Sequence, residues 1–577
     1  MSRFVDLATR SRSALPNLFD LIAFALIFGA FVAIVHGTRG MTLPLQAPQA
    51  AAISLDYTNL PYYALRTTLR MFAAMFASLL FTFTYATWAA KSRRAERFLI
   101  PALDVLQSVP ILGFLSFTVT FFLGLFPGST LGAECAAIFA IFTSQAWNMA
   151  FSFYQSLRTV PKELNEVANS FLLSPWQKFW QLDTPYAMPG LIWNMMVSMS
   201  GGWFFVVASE AISVGNTTVS LPGIGSYLAQ AISEKRIDAV VAAILAMLVV
   251  IIAYDQLLFR PLVTFGSRFR FELSASQEEE RSWVIQLFRR TKWLRALTGL
   301  PARAFGAVAL WRLDLPIRAK LSPAADAWKE RILDLVSVLI GGAAGIYALW
   351  LLSHFVMTSL TLGDIEQALW LTFLTLLRVL ALILLASLVW VPVGILIGLN
   401  TRLAERVQPL TQFLAAFPAN VLFPIAVVVI VRYSLNPDIW LSFLIIFGTQ
   451  WYILFNVVGG ASTFPNDLRE AAATFHVRGW DWWTKVMLPA VFPYYITGAL
   501  TASGGSWNAA IVAEYVKWGN QTVTAHGIGA YIAKATQAGD FPRIVLGVGM
   551  MSIFVIALNR FFWRPLARFA ERRLQLS

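Results

Sequence analysis

Runs of about 20 apolar residues recur along this chain, each long enough to cross a hydrocarbon core about 30 Å thick. A backbone in lipid must satisfy its own hydrogen bonds, so such runs fold as helices. With 58% hydrophobic and only 13% charged residues, and a mean hydropathy of +0.64, the chain is far more apolar than a soluble globular protein. The expected fold class is an all-α polytopic membrane protein. The net charge of +13 does not call for nucleic acid, because the basic residues cluster between apolar runs, as the positive-inside rule expects. Cys135 is the single cysteine and can form no intrachain disulfide. Four scattered histidines have no metal-ligand spacing, so no metal or cofactor is expected.

Taken in order, Arg3, Arg10 and Arg12 place the N-terminus inside, ahead of a retained first span near Asn17 to Val35. A second span, about Pro61 to Ala90, meets the basic turn Lys91 to Arg97. The third starts near Phe98 and holds Pro101 and Pro110, which predicts a broken span or a short interfacial helix before it. Further spans are expected near Leu131 to Phe153, Pro189 to Ile212 and Asp238 to Phe259. From Val263 to Lys329 the chain turns arginine-rich, with the acidic triplet Glu278-Glu279-Glu280. It reads as a cytoplasmic linker, either a plain tether or one with a surface-lying helix around Trp283 to Leu297. Six more spans follow, near Ile332–Val356, Ala368–Leu399, Phe413–Val431, Ile439–Val458, Val491–Val512 and Ile544–Phe562. The expectation is twelve transmembrane helices as two parallel six-helix repeats: residues 1–262, a linker 263–330, and residues 331–577.

The repeat is legible residue by residue. With a shift of 304, Trp147, Pro161, Glu166, Trp176, Pro185, Trp203 and Glu210 fall on Trp451, Pro465, Glu470, Trp480, Pro489, Trp507 and Glu514. Gly223-Ile224-Gly225 falls on Gly527-Ile528-Gly529. Upstream the shift is 308: Arg70, Pro101 and Pro110 fall on Arg378, Pro409 and Pro418, so four residues are missing between Pro418 and Trp451. Two parallel halves related by an axis along the membrane normal account for this.

Between the fourth and fifth spans of each half lies a polar, amphipathic handle. In the first, Leu164, Val167, Ala168, Phe171 and Leu172 fall on one helical face; in the second, Leu468, Ala471, Ala472, Phe475 and His476 do. Pro161 and Pro465 suit a first turn, where Glu163 and Asp467 also complement the helix dipole. A helix resting passively on the bilayer would look similar. The duplication, the small alanines and the identical spacing of Glu166 to Pro185 and of Glu470 to Pro489 favour a helix seated in a partner's groove.

Glu470-Ala471-Ala472 followed by Leu488-Pro489, with the degraded copy Glu166-Val167-Ala168 and Thr184-Pro185, resembles the EAA loop of ATP-binding-cassette (ABC) importer permeases. Both halves resemble the nitrate/sulfonate/taurine/bicarbonate branch of that family. Thr68-Leu69-Arg70 and Leu376-Leu377-Arg378, Ala208-Ser209-Glu210 and Ala513-Glu514, and the Gly-Ile-Gly-x-Tyr segments ending at Tyr227 and Tyr531 carry that likeness. The resemblance implies a type I importer permease in the bacterial inner membrane, with both termini cytoplasmic and two permease domains fused in one chain. It implies two ABC ATPase subunits as partners, docked on the handles, and a periplasmic or lipoprotein substrate-binding protein, with membrane lipid and no nucleic acid. The usual glycine six residues after the Glu is replaced by Leu172 and His476, so the helix is expected to run on or turn differently there.

No G-x-x-x-x-G-K-[ST] loop occurs in these 577 residues, so the chain is not expected to be the enzyme and hydrolysis falls to separate subunits. Candidates for the substrate pathway are Arg70, Trp203, Glu210, Arg378, Ser506, Trp507, Asn508 and Glu514, since ionisable groups in membrane segments are functional candidates. Interfacial acids bonded to the following loop, snorkelling arginines and close helix packing are the competing readings. An ion-gradient-driven transporter of six-plus-six topology and a non-transporting membrane scaffold are the rival functions.

Overall fold

In the computed structural model, residues 53–214, 217–266, 283–291, 306–312, 360–462, 464–519 and 521–573 are described, with scattered helical positions between 332 and 359. The expected first span and the N-terminal arginines lie outside these residues, as does most of the linker; the span near Ile332–Val356 is described only in part. Among the described residues, six helices are long and apolar enough to cross a membrane: Tyr57–Lys91, Pro175–Glu210, Ile237–Gly266, Leu362–Gly398, Trp480–Ala513 and Phe541–Ala570. Pro437–Phe447 and Gln450–Ser462, bent by 41°, make a seventh if taken as one span. The stretch expected to hold the fourth span folds as the 29-residue helix Thr130–Arg158, which is not among those six.

Proline decides where these helices break and widen. Helix Arg93–Ser108 stops at Val109, because the residue before Pro110 is pushed out of the α region; the chain restarts as Ile111–Leu125. Thr401–Ala416 stops at Phe417 before Pro418 in the same way, but the helix beyond the break, Phe423–Arg432, has only 10 residues. The four missing residues are taken from this helix and its loop. A proline ring inside a helix also clashes with the carbonyl four residues back. Wider π turns at Phe179–Asp183, Asp255–Phe259, Trp483–Met487 and Asn559–Trp563 each precede a proline by two residues (Pro185, Pro261, Pro489, Pro565) and absorb that clash. Helices therefore run through all four prolines.

The chain is not purely helical. Ala211–Val214 pairs antiparallel with Thr217–Ser220, and the second repeat copies this hairpin as Tyr515–Trp518 on Gln521–Thr524. β-Branched residues dominate these strands, and Gly519 turns the second hairpin at φ +57. Only two residues join each strand pair, a signal hidden among longer apolar runs.

Two compact units form. The first holds Gln155–Trp193 and the described part of Ala253–Lys320. There Trp176 Nε1 donates to the Val308 carbonyl (2.8 Å) and Gln177 Nε2 to that of Leu310 (2.9 Å). Within the stretch Trp283 to Leu297, residues Trp283–Arg290 form a helix. The second unit holds the described parts of Met41–Tyr154, Asn194–Ile252 and Leu321–Ser577. Within it Gly394 and Gly398, one turn apart, bring helix Leu362–Gly398 onto Gln450–Ser462 so closely that a Cβ at Gly398 would lie 2.7 Å from the Val458 carbonyl oxygen. Trp390 and Trp451 pack beside this contact on Leu454 and Val458. Small-x-x-x-small spacing supplies such packing where lipid leaves little hydrophobic drive between helices. Hydrogen bonds also cross between the halves: Ile111 N–H donates to Asn508 Oδ1 (2.8 Å) and Asn420 Nδ2 to the Phe204 carbonyl (3.2 Å).

Candidate functional site

Two kinds of duplicated site emerge, one at each end of the helices Pro175–Glu210 and Trp480–Ala513. At their starts lie the handles. Lys162–Ser170 and Asn466–Thr474 are short helices at equivalent places in the two repeats. Ser170 and Thr474 hydroxyls donate back to the Glu166 and Glu470 carbonyls, equivalently in the two copies. The anticipated apolar face is split: only Ala168 and Ala472 are buried, while Val167, Phe171 and Leu172 in the first copy, and Leu468 and Phe475 in the second, are exposed. Phe171 is 74% and Phe475 80% exposed. Glu163, Glu166, Glu470 and His476 are exposed as well, and Leu164 and Ala471 half-buried; Asp467 is placed in the first turn by its backbone.

The helices do not run on where the glycine is missing. Leu172 and His476 adopt left-handed backbone at φ +52 and +54. Leu173 N–H donates to the Ala168 carbonyl and Val477 N–H to that of Ala472, which closes the usual six-to-one cap without its glycine. Each non-glycine residue there costs about 1–2 kcal/mol. Both copies keep the turn against that cost.

At the far ends, buried ions are locked together. Glu210 ends its helix fully buried and accepts from Arg70 Nη1 (2.6 Å), Thr67 Oγ1 (2.7 Å) and Gly225 N–H (2.7 Å). Arg70 also donates to Glu134 through Nε (2.6 Å) and Nη2 (2.8 Å), and to the Pro222 carbonyl. Arg66 Nη2 makes a further bond to Glu134. Glu514 repeats the plan, accepting from Arg378, from Thr375 Oγ1 (2.9 Å) and from Gly529 N–H (2.8 Å). Gly223 and Gly527 are required by close approach, because a Cβ on either would overlap the glutamate carboxylate.

The second copy is looser. Asp438 stands where Glu134 does, at the shift of 304, but Leu374 occupies the place of Arg66 at the upstream shift of 308. Arg378 lies 3.6 Å from Asp438, whose side chain is 40% exposed, and His526 binds Asp438 through its backbone N–H (2.6 Å) and ring Nδ1 (2.9 Å). A crevice of about 610 Å³ opens beside Arg378, Asp438 and His526. Two arginines balance two glutamates in the first copy; one arginine faces two acids in the second. Sequence reasoning missed Arg66, Thr67, Glu134, Thr375, Asp438 and His526. The available signal was a pair of acids in register inside apolar runs, disguised because one is Glu and the other Asp.

Of the remaining pathway candidates, Trp203 and Trp507 are each 1% exposed. Ser506 is buried against Thr449 (3.0 Å), and Asn508 bridges to Ile111. The buried Trp507 indole N–H has no hydrogen-bond partner among the described residues.

The family described as binding-protein-dependent transport system inner membrane component matches this chain twice, over residues 82–259 and 390–574. The starts of the two matches are offset by the same displacement as the upstream part of the repeat. The bicarbonate transport system permease protein CmpB of Synechococcus elongatus is 34% identical over 200 residues, 34% of this chain and 69% of that protein. The nitrate import permease protein NrtB of Leptolyngbya laminosa is 28% identical over 197 residues, 34% of this chain and 67% of its own length. The glycine betaine/carnitine transport permease protein GbuB of Listeria monocytogenes is 30% identical over 176 residues, 30% of this chain and 55% of its own.

Proposed function

Because this chain belongs to the family of binding-protein-dependent transport system inner membrane components, we propose that it is the channel-forming subunit of an ATP-driven importer with two permease repeats fused in one polypeptide. Twelve spans in two parallel sets of six, repeats at 1–262 and 331–577 joined by the linker 263–330, and both termini in the cytoplasm complete the architecture. Two separate ATPase subunits dock on the handles, and a substrate-binding protein delivers solute at the opposite face.

One observation carries this reading: an exposed phenylalanine, a strained turn and a long helix ending in a buried carboxylate occur in that order twice. Helix Trp480–Ala513 has 34 residues, about 51 Å at 1.5 Å per residue. It begins just beyond the turn that closes the second handle and runs to the residue before Glu514. Displacement of Phe475 by a closing ATPase dimer is carried along that rod to the ion cluster. Glu163, Leu164, Glu166, Val167, Ala168, Phe171 and their second-copy counterparts form the docking elements. Trp203 and Trp507 close the passage in the present conformation and part when the halves tilt.

The cargo is a small oxyanion such as bicarbonate, nitrate or a sulfonate, a reading supported by the relatives. Arg70 and Arg378 are already engaged by carboxylates, so they brace the outer end. The unpartnered Trp507 N–H is the better donor for a passing oxyanion. Co-purification with a nucleotide-binding subunit, lost in Glu470→Arg, followed by ATP-dependent uptake of labelled bicarbonate or nitrate into liposomes, tests the proposal. Solute movement by the chain alone without ATP would favour the gradient-driven rival instead.

A further inference from the structure

We propose that the end of the last long helix binds the phosphate of an anionic phospholipid. Arg560, Arg564 and Arg568 converge there around a cavity of about 480 Å³ that, among the described residues, they line together with Ala567. Arg564 pairs with Asp104 at 2.7 Å; among the described residues no carboxylate pairs with Arg560 or Arg568. Among the described side chains, three guanidiniums face one carboxylate, an excess of two positive charges, and guanidinium forks grip phosphate oxygens in pairs.

Position argues for lipid over a dissolved anion. This helix begins at Phe541, and from there to Arg560 it rises about 29 Å at 1.5 Å per residue, the thickness of a hydrocarbon core. Arg560 therefore falls at headgroup depth, with Arg564 and Arg568 in the next turns. Phe561 is 79% exposed, and Phe562 and Phe569 are each 47% exposed; these rings suit the acyl boundary beside a headgroup. The first repeat supplies a control within the chain. Its counterparts are Gln256, Arg260, Val263 and Thr264, and Arg260 already pairs with Asp255. The site is thus confined to the second repeat, and it does not depend on the cargo.

The test measures binding of short-chain phosphatidylglycerol to the purified full chain by native mass spectrometry, with phosphatidylcholine and inorganic phosphate as competitors. Phosphatidylglycerol is expected to bind in preference to both. Arg560→Gln with Arg568→Gln should weaken it about tenfold or more, Arg560→Lys with Arg568→Lys should keep most of it, and Arg260→Gln should change nothing. Equal competition by inorganic phosphate would make this a free-anion site and overturn the assignment. So would equal loss in Arg260→Gln, or lipid bound only when the ATPase subunits are stripped away, which would mean that a protein covers the patch. Should the Gln pair fail to fold, the wild-type competition and the Lys pair still decide.

Discussion

Buried ion pairs stabilise little in net terms, yet breaking one leaves an uncompensated charge and costs about 3–5 kcal/mol. Glu134 is nine-tenths or more buried between two arginines, whereas Asp438 in the same structural position is partly open to solvent. Glu134→Gln is therefore expected to lower the thermal midpoint markedly, while Asp438→Asn, a largely screened change, shifts it little. Equal shifts in a melting experiment would contradict the asymmetry. Leu172→Gly removes a left-handed side chain and should stabilise the isolated chain by about 1 kcal/mol, measured as a rise in midpoint. The same change deletes an exposed apolar group, so recovery of ATPase subunits should fall while stability rises. Trp507→Phe removes a buried donor that has no partner among the described residues. Its stability should hold or improve and its uptake rate drop; unchanged uptake would remove the indole from the passage.

Helices here are shaped by where proline falls and where glycine permits contact. Pro110 and Pro418 end helices because the preceding residue cannot stay helical, whereas Pro185, Pro261, Pro489 and Pro565 sit behind π turns and end nothing. Gly398 admits a neighbouring backbone, so Gly398→Leu should overpack that contact at about 1–3 kcal/mol or more, seen as a lower midpoint and poorer yield. The handles present one large ring each. Phe475→Ala is expected to cost a central contact worth about 2 kcal/mol or more in a partner's groove, read as a drop of at least about tenfold in ATPase affinity. Passive helices lying on the bilayer would show no such loss.

Duplication gives two handles and two buried ion clusters, but not two equal ones. The first cluster is sealed by Arg66; the second holds a single arginine and opens a crevice. The first handle's neighbourhood is braced by the linker carbonyls of Val308 and Leu310. Matched changes in the two handles, Phe171→Ala and Phe475→Ala, are accordingly expected to reduce coupled ATP hydrolysis to different degrees.

Apolar run length, the double register of Trp, Pro and Gly, and the acid–alanine–proline spacing of the handles were all written in the linear chain. They reflect bilayer thickness, backbone sterics and helical periodicity, which act locally. Membership of the importer permease family followed from those patterns. The pairing of Arg66 and Arg70 with Glu134 and Glu210 could not be read there, because the arginines lie far from both glutamates in the chain and meet them only through helix packing. Persistence of the left-handed turn at Leu172 and His476 was hidden for a related reason: local preference opposed it, and the helix cap with the packing of Ala168 and Ala472 overrode that preference. Side-chain pairing across distant helices was settled by the folded bundle, where a buried charge has no alternative to its partner.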